Sequence, residues 1–113
     1  MSYFEVKLAG DHVWLPEERR GWFGLRRRRV EVRCGFVTTR LIETSSPEEA
    51  ASLAVELVDR ELLELSVNRK GESFGIRVEG ISEQKYITPE WMPGGGFTFY
   101  AQTGLGTVRP ARS

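Results

Sequence analysis

The run Thr44-Ser45-Ser46-Pro47-Glu48-Glu49 fixes the start of a helix. Ser46 suits the N-cap, Pro47 suits the first helical position, and Glu49 stands three residues after the cap. This is a capping box, with carboxylates beside the positive end of the helix dipole. Ala50, Leu53, Ala54, Leu57, Val58, Leu62 and Leu65 then recur at three- and four-residue spacing. Glu48, Glu49, Glu56, Asp59, Arg60 and Glu64 occupy the other side. The pattern predicts a helix over 47–65 with one apolar stripe. Asn68 and Gly71 supply stop and turn signals. A helix with one apolar stripe must bury that stripe against something.

The rest of the chain supplies strands. Phe4, Val6 and Leu8 alternate with Glu5 and Lys7, which predicts a half-buried strand over 3–9. Residues 10–25 hold Pro16, Gly21 and Gly24 among charges and follow no clean period. They read as a long loop or a loose hairpin, although Trp14, Trp22 and Phe23 are unusual in a mere connection. From Arg29 the alternation resumes, with Val30, Val32, Cys34 and Phe36 on one face. Gly35 suggests a bulge that shifts the phase, so 29–44 reads as one bent strand or two. Phe74, Ile76 and Val78 predict a further strand, bulged at Gly80 before Ile81. Gly94-Gly95-Gly96 closes a loop, and Phe97, Phe99 and Ala101 begin a last strand.

The expected fold is α+β, in the order β-β-α-β-β. One helix packs on a bent, mostly antiparallel sheet. A partly closed small barrel with one helix is the alternative. The chain of 113 residues suits a single domain, expected over 1–102, with a mobile C-terminal tail over 103–113.

Composition narrows the class. The 16 basic residues balance 16 acidic ones, which excludes a uniformly basic nucleic-acid binder. One Cys permits no internal disulfide, and the N-terminus lacks the basic and apolar stretches of a signal peptide. No run approaches the ~20 apolar residues that cross a bilayer. A cytoplasmic protein without membrane contact is expected, and the excess of Arg over Lys suggests a bacterial source.

Leu41-Ile42-Glu43-Thr44-Ser45-Ser46-Pro47-Glu48-Glu49-Ala50 resembles a strand-into-helix junction common in small bacterial α+β domains. Asn68-Arg69-Lys70-Gly71-Glu72, followed by a strand and Gly80-Ile81, is similar to a family of small bacterial domains of unknown function. The resemblance spans about 37–82 and rests on capping and turn chemistry. It implies a fold and no site. The Arg-rich segment and the triple glycine are not part of the pattern.

Catalytic constellations find little support. His12 and Cys34 are the only His and Cys, so no zinc cluster of those residues forms within one chain, and no metal or cofactor is expected. Cys34 lies in the apolar phase of a strand and reads as a buried, inert thiol. Glu48 and Glu49 are explained by the helix cap, and Glu61 and Glu64 by a solvated face. Gly94-Gly95-Gly96 leads into a strand with no following Lys, so it reads as a turn rather than a phosphate cradle.

One segment stands out. Arg19-Arg20-Gly21-Trp22-Phe23-Gly24-Leu25-Arg26-Arg27-Arg28-Arg29 joins six Arg to two aromatics. Three readings compete. Arg pairs with phosphate and aromatics stack on unpaired bases, which suits RNA or single-stranded DNA. Charge on a strand edge also discourages aggregation. The third reading is a salt-bridged protein interface. Residues 19–40 hold eight Arg and one Glu, whereas 43–64 hold seven acids and one Arg. Such segregation suits self-association through opposite charges. The expected function is therefore a non-enzymatic bacterial interaction module that forms a homodimer or larger homo-oligomer. RNA or single-stranded DNA binding is the alternative. Trp22, Phe23, Arg26, Arg27, Arg28 and Arg29 are the candidate residues for either.

Overall fold

The computed structural model describes residues 2–20, 27–84 and 96–111. Its elements are β1 (Ser2–Arg20), β2 (Arg27–Thr44), α1 (Pro47–Leu65), β3 (Arg77–Gln84), β4 (Phe97–Ala101) and β5 (Val108–Pro110). The fold is α+β. The sheet is antiparallel in the order β3-β1-β2-β4, with β5 also on β2, and it curls into a half-barrel around α1.

The helix begins as its sequence dictates. Ser46 has extended backbone, and its Oγ accepts from the Glu49 N–H at 3.2 Å. The Glu49 carboxylate in turn accepts from the Ser45 hydroxyl at 3.1 Å. Ala50, Ala54, Val58 and Leu62 form the buried stripe. They pack on Phe4, Val6, Leu8, Val13, Phe36 and Phe74. The stripe is narrower than the spacing predicts. Leu53 and Leu65 are 40% and 52% exposed, because the sheet buries the row from Ala50 to Leu62, with Val55 partly packed beside it, and not their side of the helix.

Strand β1 does not stop at Gly10. It runs on to Arg20, so of the loop or loose hairpin expected over 10–25 the described part, 10–20, is strand of a hairpin, paired without a break from Val13↔Cys34 to Arg20↔Arg27. The missing period has a physical cause. Asp11 and His12 together oppose Gly35, which makes a β-bulge, and His12 takes a positive φ of 61°. The bulge flips the phase, so even residues face the core before it and Val13 and Leu15 face it afterwards. Asn68 clamps the bulge. Its side chain accepts from the Trp14 N–H and donates to the His12 carbonyl, both at 2.8 Å. Pro16 points its missing N–H in the same direction as Trp14, where β1 has become an edge strand, so no ladder bond is lost.

Strand β2 is one strand in one phase. Opposite β1, Val30, Val32, Cys34, Phe36, Thr38, Arg40 and Ile42 all share the core side. The bulge expected at Gly35 is absent. Gly35 instead lies under the Tyr100 ring of its cross-strand neighbour, and a Cβ there would meet that ring at 2.5 Å. Aromatic cover of this kind offsets a strand glycine. The bulge expected at Gly80 is present, since Lys7 opposes Gly80 while Leu8 opposes Val78. Strand β3 begins at Arg77 rather than Phe74. The Phe74 carbonyl is occupied by the Asp11 N–H at 2.9 Å.

The segment expected as a mobile tail carries β5. Val108, Arg109 and Pro110 pair with Val32, Glu31 and Val30. Three residues are too short to announce a strand by alternation, and the contacts that hold them are remote in sequence.

The molecule measures 57 × 32 × 23 Å with a radius of gyration of 17.1 Å. A compact chain of this length has a radius near 13 Å. The difference comes from the β1–β2 hairpin. At about 3.3 Å per residue, a strand of β1's length reaches roughly 60 Å. Its outer half projects beyond α1 and β3 as an arm, three-stranded where β5 pairs with β2 and two-stranded only at its tip, Glu18–Arg20 against Arg27–Arg29.

Candidate interaction surface

The arm carries the Arg-rich segment. Of the candidate residues, Trp22, Phe23 and Arg26 lie outside the described residues. Arg27 and Arg28 lie in β2, opposite Arg20 and Arg19. Arg29 opposes Glu18, and its side chain is 81% exposed with Nε 3.8 Å from the Glu18 carboxylate. An ion pair this exposed contributes little to stability. A cleft of about 360 Å³ opens at the arm's root, lined by Glu17, Glu18, Arg29, Glu31, Val67 and Ala111 among others. Its carboxylates make it a poor seat for a polyanion.

The root is locked by residues that no local motif announces. Arg109 lies 3.9 Å over the Trp14 ring. Its Nε donates to Glu31 at 2.5 Å, and its two terminal nitrogens donate to Glu72 at 2.7 and 2.9 Å. Arg69 adds an ion pair to Glu31 at 3.5 Å. Glu31 is buried, at 3% exposure. Two guanidinium groups thus answer two carboxylates, and the cluster is neutral. Sequence reasoning missed it because Trp14, Glu31, Arg69, Glu72 and Arg109 are scattered from one end of the chain to the other. The only legible hint was a charged residue at 31 inside an alternating apolar strand.

Bidentate hydrogen bonding from Arg109 holds the Glu72 carboxyl down at about 2, well below its ordinary 4.5. The sign follows from linkage. A carboxyl depressed in the folded state stabilises above its unfolded pKa and loses that contribution as pH falls through its folded value. Stability is therefore expected to fall between pH 4.5 and 2. In Glu72→Gln that part of the acid loss is expected to vanish, as followed by thermal unfolding across the range. An unchanged acid limb would remove Glu72 from the account.

A second ion pair joins the sheet to α1. Arg40, 5% exposed, donates to Glu61 at 2.5 Å, to Thr38 and to the Thr39 carbonyl, and lies 4.9 Å over Phe97. Beyond Glu61 the helix surface is open. Glu48, Glu56, Asp59 and Glu64 are exposed and make no ion pair among the described residues. Leu53 and Leu63 lie among them, with Leu63 63% exposed.

Other chemistry is sparse. The Cys34 thiol is buried, donates weakly to the Val32 carbonyl, and has its pKa pushed up by burial and then by Glu17. A thiol held protonated is a poor nucleophile. A wider cleft of about 410 Å³ is lined by Lys7, Val37, Thr38, Thr39, Glu79 and Thr98 among others. Among the described residues no group of three or more His, Cys, Asp or Glu is placed to hold a metal ion, and no helix is long and apolar enough to cross a membrane. No family model, curated protein or solved structure matches the chain.

Proposed function

We propose that this chain is a small, non-enzymatic interaction module that self-associates through its β1–β2 arm. The observation that carries the reading is the arm itself. Beyond β5 the tip of the arm is only two strands wide, a ribbon marginal in water by itself, and a partner surface would stabilise it. The locked root supports the same reading, because Arg109, Glu31 and Trp14 anchor the arm to the body rather than leave it a loose appendage. The protonated Cys34 thiol and the neutralised Glu31 carboxylate support a non-enzymatic role. A bacterial cytoplasm is the setting proposed, on the single Cys and the Arg-rich composition.

RNA or single-stranded DNA binding is the second reading, favoured by the exposure of Arg29 beside Arg27 and Arg28 in sequence. The carboxylates of Glu17 and Glu18 on the same arm weigh against it. Light scattering at micromolar concentration, with the ultraviolet absorbance ratio of the purified protein, separates the two. A dimer or larger species free of nucleic acid, dissociating as salt rises, is expected. A strict monomer at high concentration would overturn self-association. A monomer that retains oligonucleotide, with a steep salt slope, would favour the second reading.

A further inference from the structure

We propose that the basic end of the arm docks on the exposed acidic face of α1 in a second copy of the chain. This deepens the self-association reading and rests on it. Residues 17–31 hold six Arg against three Glu. Helix α1 holds six acids against one Arg, Arg60. Among the described residues, Arg40–Glu61 is the ion pair between hairpin and helix, and Arg40 lies in the body half, opposite Val6. Glu48, Glu56, Asp59 and Glu64 make no ion pair among the described residues.

The arm does not neutralise its own helix. Strand β2 enters α1 at the end of the body far from the arm, since Ser2 opposes Thr44 there. The helix then runs back towards the root, where the Val67 N–H donates to the Trp14 carbonyl at 2.8 Å. From Trp14 the strand continues for six residues to Arg20, about 20 Å at the usual rise. That reach leads away from α1, and a paired ribbon does not fold back on itself.

The helix face specifies its occupant. Glu48, Glu56, Asp59 and Glu64 call for a basic partner, which excludes RNA or DNA at this face. Leu53 and Leu63, exposed among them, call for apolar contact as well. The Arg-rich arm answers the charge. A two-fold arrangement lets each arm reach the other copy's helix, so both contacts form at once and the assembly closes as a dimer. Opposite charges held this way set partner choice and register.

Two charge-reversal variants test the contact, with sedimentation as the readout and circular dichroism to check folding. Arg27→Glu/Arg29→Glu reverses the arm, and Glu56→Lys/Asp59→Lys reverses the helix face. Each variant alone is expected to lose the dimer. An equimolar mixture is expected to regain a heterodimer, because one contact then has both charges reversed and the other has both as in the wild type. Dimers that persist in both variants would overturn this contact and leave self-association standing. A monomeric wild type would overturn both. Nucleic acid bound by a monomeric wild type and lost only in the arm variant would overturn the contact and assign the arm to nucleic acid.

Discussion

Replacing Arg109 with Ala is expected to cost about 3 kcal/mol of folding stability, the low end for removing one partner of a buried ion pair. Glu31 is 3% exposed, and Arg109 is its nearest cation. Without the guanidinium, this buried carboxylate loses its 2.5 Å contact, whereas its contact to Arg69 is longer, at 3.5 Å. Trp14 loses its cation–π partner at the same time. At roughly 4 °C per kcal/mol for a domain near this size, the melting temperature is expected to fall by roughly 12 °C. Strand β5 is expected to loosen with it, so the Arg33 amide, which donates to the Thr107 carbonyl, is expected to exchange faster. Glu31→Leu/Arg109→Leu is expected to cost less than Arg109→Ala, because removing both charges leaves no orphan at Glu31. A loss below 1 kcal/mol for Arg109→Ala, by urea unfolding, would show that β5 is held by its backbone pairing alone.

Gly10→Ala is expected to be equally severe, near 3 kcal/mol, the upper range for overpacking a filled core. A Cβ at Gly10 would stand 2.4 Å from the Phe36 ring and 2.8 Å from the Phe74 carbonyl oxygen. Phe36 is fully buried, and the Phe74 carbonyl is tied to the Asp11 N–H, so neither can withdraw cheaply. Gly35→Ala provides the contrast. The nearest atoms to its Cβ would belong to the far end of the Tyr100 side chain, a residue 46% exposed that can swing outward. Reduced chain entropy in the unfolded state also offsets part of that cost. The Gly35 variant is therefore expected to lose no more than about 1 kcal/mol. Equal urea midpoints for the two variants would contradict the distinction between a fixed and a movable neighbour.

These two sites differ in how far the sequence revealed them. The helix was legible because its signals are local. Ser46, Pro47 and Glu49 act within one turn, and the i, i+4 row from Ala50 to Leu62 needs only its own period. Strands with a single phase were legible for the same reason, as at Phe4–Leu8 and Phe97–Ala101. Bulges broke that logic. Asp11 and His12 insert an extra residue and invert the face of every residue after them, so an alternating strand reads as a loop or loose hairpin. At Gly35 the opposite error arises. A glycine there signals a bulge, yet what it accommodates is the Tyr100 ring, whose approach depends on β4 pairing with β2.

The candidate surface follows the same division. The run of Arg is visible in any reading, and its place at the end of a paired arm is not. That placement depends on β1 and β2 staying in register as far as Arg20↔Arg27. The acidic helix face was visible as composition, but its separation from the arm is a matter of distance in space.

One capped helix between alternating strands, the two-layer α+β arrangement that must follow, and the division of charge into a basic and an acidic segment are written in the order of the residues. Each is a consequence of local backbone chemistry or of a period shorter than a helical turn. The tertiary structure alone decided that β1 continues into an arm, that β5 completes the sheet, and that Arg109 closes on Glu31 and Glu72. Glu31 and Arg109 are 78 residues apart in sequence, and no local period spans such a gap. Their meeting depends on burial, which charges only groups left without a partner. That cost becomes visible only once the sheet has brought them together.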